Sequence, residues 1–177
     1  MEVLESHGIP CEEIYGDRSD ALRLRKPFRD WLQANGRSDE YQAICDEIDA
    51  RFTEIETCYV DEAQPFPGSL ECIDILHSKG LKVGILTRGS RRYAELALSR
   101  FDALYRFDAL VGRDYSEYDD AKPSPKAMED FASELGVLPE EILYLGDNVA
   151  DFHSARDAGA MFIGVLSGTA DAQTWES

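Results

Sequence analysis

Lysine is scarce in this chain: 5 of 177 residues, against 13 arginines and 35 acidic residues. The net charge of −17 gives a surface that repels nucleic acid and anionic membrane, so neither is expected as a partner. Long apolar runs are missing as well. No stretch approaches the ~18 consecutive apolar residues of a membrane span. Met1-Glu-Val-Leu-Glu has neither the basic start nor the apolar run of a signal peptide. Cysteine is sparse, and Cys11, Cys45, Cys58 and Cys72 form no C-x-x-C pair and complete no zinc pattern with the histidines. Reduced, packed thiols in a soluble cytoplasmic protein are expected rather than a disulfide framework. No G-x-G-x-x-G follows any apolar run, which disfavours a dinucleotide-binding fold. Internal repeats and low-complexity tracts are also absent.

What is present suits a globular chain. A hydrophobic fraction of 44% with 30% charged residues is enough to bury a core in one ordinary domain, or in a domain with a small insert. The acidity leaves two readings open: a surface suited to a high-salt cytoplasm, where screening tames self-repulsion, or a merely acidic soluble protein.

Two halves read differently. Residues 1–64 are helical in pattern. Ala21-Leu22, Leu24, Phe28 and Trp31-Leu32 recur at three and four, and Asn35-Gly36 stops that helix. Ser38 is expected to cap a second helix carrying Tyr41, Ile44-Cys45, Ile48, Phe52, Ile55 and Tyr59 on one side. Pro65-Phe66-Pro67-Gly68 marks the boundary. Residues 65–177 then alternate. Strands are expected at Lys82–Thr87, Ala109–Val111, Glu141–Leu145 and Met161–Leu166, with helices near Ser69–Ser78, Arg91–Arg100, Ser124–Leu135 and Ala150–Ala158. Strands apolar on both faces and separated by helices imply an α/β, Rossmann-like parallel sheet with helices on each side.

Polar clusters fall at three loops beside these strands. In the first, Thr87-Arg88-Gly89-Ser90, Gly89 is expected to turn the backbone sharply into the next helix and leave N–H groups free for an anion. In the second, Pro123 and Pro125 hold Lys122 just ahead of a helix. In the third, Gly146-Asp147 ends a strand and Asp151 follows four residues later, a spacing that puts both carboxylates on one helical face. Mg²⁺ takes one or two carboxylates together with phosphate oxygens. Ligands of open parallel sheets bind at the carboxyl ends of the strands, so the clusters should converge on one rim able to bind a phosphoryl group with Mg²⁺. Each cluster alone has a plainer meaning: a turn, a solvated lysine, a helix cap beside an exposed acid. His153 and the acidic run Asp114 to Asp120 read most simply as surface features, His77 as structural, and Trp31, Phe28 and Tyr41 as helical core.

Through Pro65-Phe-Pro-Gly68, Ile85-Leu-Thr-Arg88, Lys122-Pro-Ser-Pro125 and Gly146-Asp-Asn-Val-Ala-Asp151, the chain resembles the haloacid dehalogenase superfamily. Within it, the similarity is to the branch of phosphoglycolate phosphatases with a small all-α cap. The similarity is close over 65–168 and loose over the helical half, which would be the cap. The resemblance implies a Mg²⁺-dependent phosphatase acting on a small phosphorylated metabolite. Thr87, with Arg88 and Gly89, would bind phosphoryl oxygens, and Lys122 would neutralise nucleophile and phosphate charge. Asp147 and Asp151 would serve the metal. Dehalogenase or mutase activity on the same scaffold stays open, and substrate and oligomeric state are not legible. A response-regulator receiver is disfavoured because its acids would precede Thr87 and Lys122.

The family's first motif, a strand ending in Asp-x-Asp, is missing. Its first Asp is the nucleophile that forms an aspartyl-phosphate, and its second is the general acid and base. Asp17-Arg-Ser-Asp20 has the wrong spacing, and Asp46 and Asp49 lie on a helix pattern. In the family that strand lies mid-sheet, so its loss would leave two inner edges unpaired. It would also forfeit buried side chains worth roughly 1.5–3 kcal/mol each, against a net stability of about 5–15 kcal/mol. The expectation is an incomplete chain, with Met1 an internal methionine, the C-terminus cut short after the helix opening at Thr169, and no activity as it stands. The alternative is a non-catalytic relic that binds phosphate or a protein partner.

Overall fold

A computed structural model describes residues 1–16, 25–113 and 120–176. Asp17 to Asp20, the opening of the helix expected from Ala21, and residues 114–119 of the acidic run lie outside the described residues. The described residues gather into two compact units, Met1–Ile55 and Glu56–Ser177, and Pro65–Gly68 falls within the second.

The first unit is helical: α1 (Glu2–Ser6), α2 (Cys11–Tyr15), α3 (Arg25–Ala34) and α4 (Tyr41–Cys58), whose last residues belong to the second unit. Leu4, Ile9, Phe28, Leu32 and Ile44 pack into its core almost without exposure. Phe28, Leu32 and Ile44 belong to the expected three-and-four spacing, and Leu4 of α1, Ile9 of the link and Cys11 and Tyr15 of α2 join them. Those two helices are too short, at five residues each, to show a period of 3.6 in the sequence. The expected cap at Ser38 does not form. Ser38–Glu40 make a 3₁₀ turn without a side-chain cap, and α4 begins at Tyr41.

The second unit runs α5 (Ser69–Ser78), β1 (Gly84–Leu86), α6 (Arg91–Ser99), β2 (Ala109–Val111), α7 (Pro125–Leu135), β3 (Leu143–Gly146), α8 (Val149–Ala158), β4 (Met161–Gly164) and α9 (Ala172–Glu176). Gly68 takes φ 82 at the head of α5, a left-handed turn open to glycine at no steric cost. The strands are parallel, as their apolar character and intervening helices require. β1 pairs with β2 in the register Gly84↔Ala109 and Leu86↔Val111, and β3 with β4 from Leu143↔Met161 to Gly146↔Gly164. Among the described residues the two pairs are not hydrogen-bonded to each other. Leu86, Val111, Met128, Phe131, Leu135, Ile142 and Ala155 form the core beneath the strands.

One expectation about burial is corrected. Tyr144 and Phe162 pack on that core, but Leu143, Leu145, Met161 and Ile163 on the other face are 50, 59, 55 and 47% exposed. Helices therefore cover one face of the β3–β4 pair among the described residues, not both. No helix among them is long and apolar enough to cross a membrane.

Candidate active site

The site is built at the carboxyl ends of β1 and β3. β1 carries Leu86 into a buried position and continues into Thr87, whose N–H donates to Val111 O at 2.9 Å. Lys122 precedes α7, joined to Pro123 by a cis peptide bond. Ser124 caps that helix by accepting from Lys126 N at 3.3 Å, with Pro125 in its first turn. The buried Ser154 of α8 donates to Ser124 O at 2.7 Å, which ties the two helices together.

Lys122 is the centre of the arrangement. Its ammonium donates to Leu86 O at 3.0 Å, Tyr144 Oη at 2.7 Å and Asp151 Oδ1 at 2.6 Å. An ammonium has three donors, and all three are spent. The lysine and Asp151 side chains are both more than nine-tenths buried, at 6% and 8% exposure. Burial pushes the Lys122 pKa down; Asp151 opposes this, Arg88 adds to it, and Asp147 draws it back up. Arg88 and Asp147 are therefore electrostatic neighbours of the ammonium. Tyr144 Oη in turn donates to Leu86 O at 2.8 Å. Burial, followed by the Asp151 charge, raises the Tyr144 pKa far above its usual value, so it stays a neutral donor.

The two acids are held by different partners, although both act on the Lys122 charge. Asp147 precedes the helix rather than lying on it, because Asn148 is the cap and accepts from Ala150 N at 2.9 Å. Asp151 is the third residue of α8 and reaches back in a capping box. Its Oδ2 accepts from Asn148 N at 3.1 Å and Asp147 N at 3.2 Å, while Oδ1 meets Lys122. Both oxygens of Asp151 are thus in use, and it fits a supporting role better than that of a metal ligand. Asp147 turns toward the loop after β4. Its Oδ2 accepts from Thr169 N at 2.9 Å and from Thr169 Oγ1 at 3.3 Å. Its Oδ1 takes no hydrogen bond among the described residues, so this partly exposed carboxylate keeps one oxygen free beside the Lys122 charge. Mg²⁺ often takes only one or two carboxylates from a protein, and Asp147 fits that role. No cluster of three or more His, Cys, Asp or Glu suited to a metal occurs among the described residues.

The turn after β1 also differs from its sequence reading. Gly89 is not in the left-handed region, and a Cβ there would meet Thr87 Oγ1 at an ordinary 3.4 Å. Two N–H groups expected to be free are engaged: Gly89 N donates to Thr87 Oγ1 at 3.0 Å and Ser90 N to Glu56 Oε2 at 3.0 Å. Arg88 Nη1, by contrast, is buried and has no hydrogen-bond partner among the described residues. An unpaired buried guanidinium nitrogen is costly, and an anion would satisfy it.

Three contributors escaped the sequence reading. Tyr144 looked like one more residue of an apolar strand, and its only signal was a hydroxyl at a position otherwise suited to Leu or Val. Thr169 follows β4 in a Ser-Gly-Thr turn of the kind already noted after β1. Glu56 lay on a helix with many acids, and nothing local singled it out.

Parallel strands separated by helices, with a lysine, an arginine, a threonine and a carboxylate near their carboxyl ends, make this an α/β protein whose candidate site lies where open parallel sheets bind their ligands. A family model for haloacid dehalogenase-like hydrolases matches residues 2–159, and the chain belongs to that family. Phosphoglycolate phosphatase of Salmonella typhimurium is 30% identical over 103 residues, which is 58% of this chain and 40% of that protein. Pyrophosphatase PpaX of Halalkalibacterium halodurans is 32% identical over 96 residues, 54% of this chain and 44% of that one. The chain thus spans well under two thirds of these relatives. The crystal structure of a haloacid dehalogenase-like hydrolase from Bacteroides fragilis superposes with a TM-score of 0.63 at 26% identity, covering 99% of this chain and 81% of that one.

Proposed function

We propose that the site serves a Mg²⁺-dependent phosphate monoester phosphatase acting on a small phosphorylated metabolite. The observation that carries this is a buried Lys122 ammonium within electrostatic reach of Arg88 and Asp147: a guanidinium whose buried Nη1 has no partner among the described residues, and a carboxylate with a free oxygen. Arg88 Nη1 would take a phosphoryl oxygen, with Thr87 and the turn Arg88–Gly89 beside it. Lys122 holds a positive charge at the rim and is kept in place by Tyr144, Leu86 O and Asp151. Asp147 would hold Mg²⁺, which when bound supplies charge neutralisation at the phosphoryl oxygens. Asp151 stands behind, orienting Lys122 and the backbone that carries Asp147.

The acid that attacks phosphorus is, in this reading, not among these 177 residues, since the sequence contains no Asp-x-Asp. By the family resemblance it would come from a strand that pairs with β1, and among the described residues β1 is hydrogen-bonded in a sheet to β2 alone. The helical residues before Pro65 would be the cap that limits substrate choice.

The test is an assay with p-nitrophenyl phosphate and Mg²⁺. The chain alone should turn over nothing above background. The same chain joined to an upstream strand ending in Asp-x-Asp should give Mg²⁺-dependent hydrolysis that Lys122→Ala abolishes. Silence from the extended protein would rule out the phosphatase reading, and turnover by the chain alone would rule out the missing nucleophile.

A further inference from the structure

The turn after β1 is held by two residues that no part of the phosphatase reading uses. Glu56 sits on the last turn of α4 and Arg113 just beyond β2, 57 residues apart in sequence. Their side chains are 27% and 10% exposed, and Arg113 Nη1 donates to Glu56 Oε1 at 2.5 Å. The other oxygen of Glu56 accepts from Ser90 N at 3.0 Å. Arg113 Nη1 also donates to Arg88 O at 3.2 Å, and Arg113 N donates to Gly89 O at 3.1 Å. Three consecutive residues, Arg88, Gly89 and Ser90, are thus each fixed by one backbone atom to this pair. Ser90 is fully buried and caps α6 by accepting from Tyr93 N at 3.2 Å.

A largely buried ion pair adds little net stability compared with apolar side chains of the same size. What it supplies here is direction. Each of its bonds fixes the backbone that aims Arg88 and Thr87, and charge-assisted bonds to a backbone are stronger than neutral ones.

We propose that Glu56 and Arg113 are positioning residues for anion binding: they form a clamp that holds the Arg88–Ser90 turn in the geometry that receives a phosphoryl group. The inference rests on the reading of that turn as the phosphoryl site, but the clamp can be tested without it. A carboxylate placed this close to an anion site would by charge alone weaken anion binding. Neutralising Glu56 therefore has opposite outcomes under the two roles. As a mere neighbouring charge its loss tightens binding; as a clamp its loss loosens it.

The experiment uses the full ¹⁵N-labelled chain with amide hydrogen exchange and a titration with inorganic phosphate followed at the Gly89 and Ser90 amides. Glu56→Gln, Arg113→Lys and the exposed control Glu54→Gln are compared with the parent. Glu56→Gln is expected to speed Ser90 exchange by about tenfold, and to raise the phosphate dissociation constant by about as much, the worth of one charge-assisted hydrogen bond. Exchange at Leu110 and Val111 in β2 should stay unchanged, which separates a local release from global unfolding. Arg113→Lys should loosen the same amides, and Glu54→Gln should change nothing. Unaltered Ser90 exchange, or tighter phosphate binding in Glu56→Gln, would overturn the clamp. If the parent chain shows no phosphate response, the phosphoryl-site reading fails and Ser90 exchange alone decides the clamp.

Discussion

Lys122 Nζ lies 2.6 Å from Asp151 Oδ1, and this contact joins the segment entering α7 to the first turn of α8. It is more than an ion pair. The same ammonium reaches Leu86 O at the end of β1 and Tyr144 Oη on β3. The same carboxylate caps α8 through Asn148 N and Asp147 N. One lysine and one aspartate thus gather the ends of two strand pairs and two helices.

Removing the lysine should therefore be costly. Lys122→Met leaves the buried Asp151 carboxyl with its two backbone partners and a long contact to Tyr144 Oη at 3.5 Å, and breaking a buried pair in this way costs about 3–5 kcal/mol. Asp151→Asn should cost less, because the amide oxygen can still accept from the capping N–H groups. Urea unfolding of the three proteins gives the comparison. A loss below about 1 kcal/mol in Lys122→Met, the worth of an exposed bridge, would show that the contact is not buried as described.

Tyr144→Phe isolates the hydroxyl. Without it Leu86 O keeps its bond from Lys122, but the ammonium loses one acceptor in a buried place. The expected cost is about 1–2 kcal/mol. Tyr105→Phe, whose ring is 77% exposed, should change stability by no more than about 0.5 kcal/mol. Equal effects from the two substitutions would remove Tyr144 from the site.

These residues also mark where the sequence could and could not be read. Thr87, Lys122 and Asp147 could be singled out as candidates because each stands at the point where an apolar strand or a proline-bounded helix entry ends, and ligands of open parallel sheets bind at such ends. The i,i+4 spacing of Asp147 and Asp151 did not reveal their separate partners: Asn148 takes the cap, Asp151 reaches back to the turn and to Lys122, and Asp147 is held by Thr169. Glu56 and Thr169 were invisible because their partners lie 34 and 22 residues away, and nothing in the local pattern announces a tertiary hydrogen bond. The open face of β3 and β4 was hidden for another reason. An apolar strand shows that its side chains prefer burial, but not which neighbour supplies it.

Gly168 tests the placement of Asp147. A Cβ built there would stand 1.9 Å from Asp147 Oδ2 and 2.4 Å from Asp147 Cβ. Gly168→Ala must therefore push the carboxylate or the loop aside, breaking the bonds from Thr169. The expected loss is about 1–3 kcal/mol of stability, as for overpacking elsewhere, read from thermal unfolding. Thr169→Val removes the hydroxyl but keeps the backbone N–H on Asp147 Oδ2, and should lose less than Gly168→Ala. The reverse order would mean that the loop does not approach Asp147 this closely.

The pH dependence of stability carries a sign that Glu56 sets. Burial acts to raise its pKa, but the bonds from Arg113 and from Ser90 outweigh burial and bring it below its ordinary 4.5. A carboxyl group whose pKa is lower in the folded than in the unfolded state stabilises the fold fully above the unfolded value. That contribution falls away as the pH drops from about 4.5 through the folded value, where the group protonates in both states. Glu56→Gln cannot titrate. Its stability at pH 7 should lie below the parent's, and the gap should close as the pH is taken from 5 toward 3, as followed by urea unfolding at each pH. A gap that stayed constant on acidification would show that the carboxylate charge, and hence its bond to Arg113, contributes nothing to holding the turn.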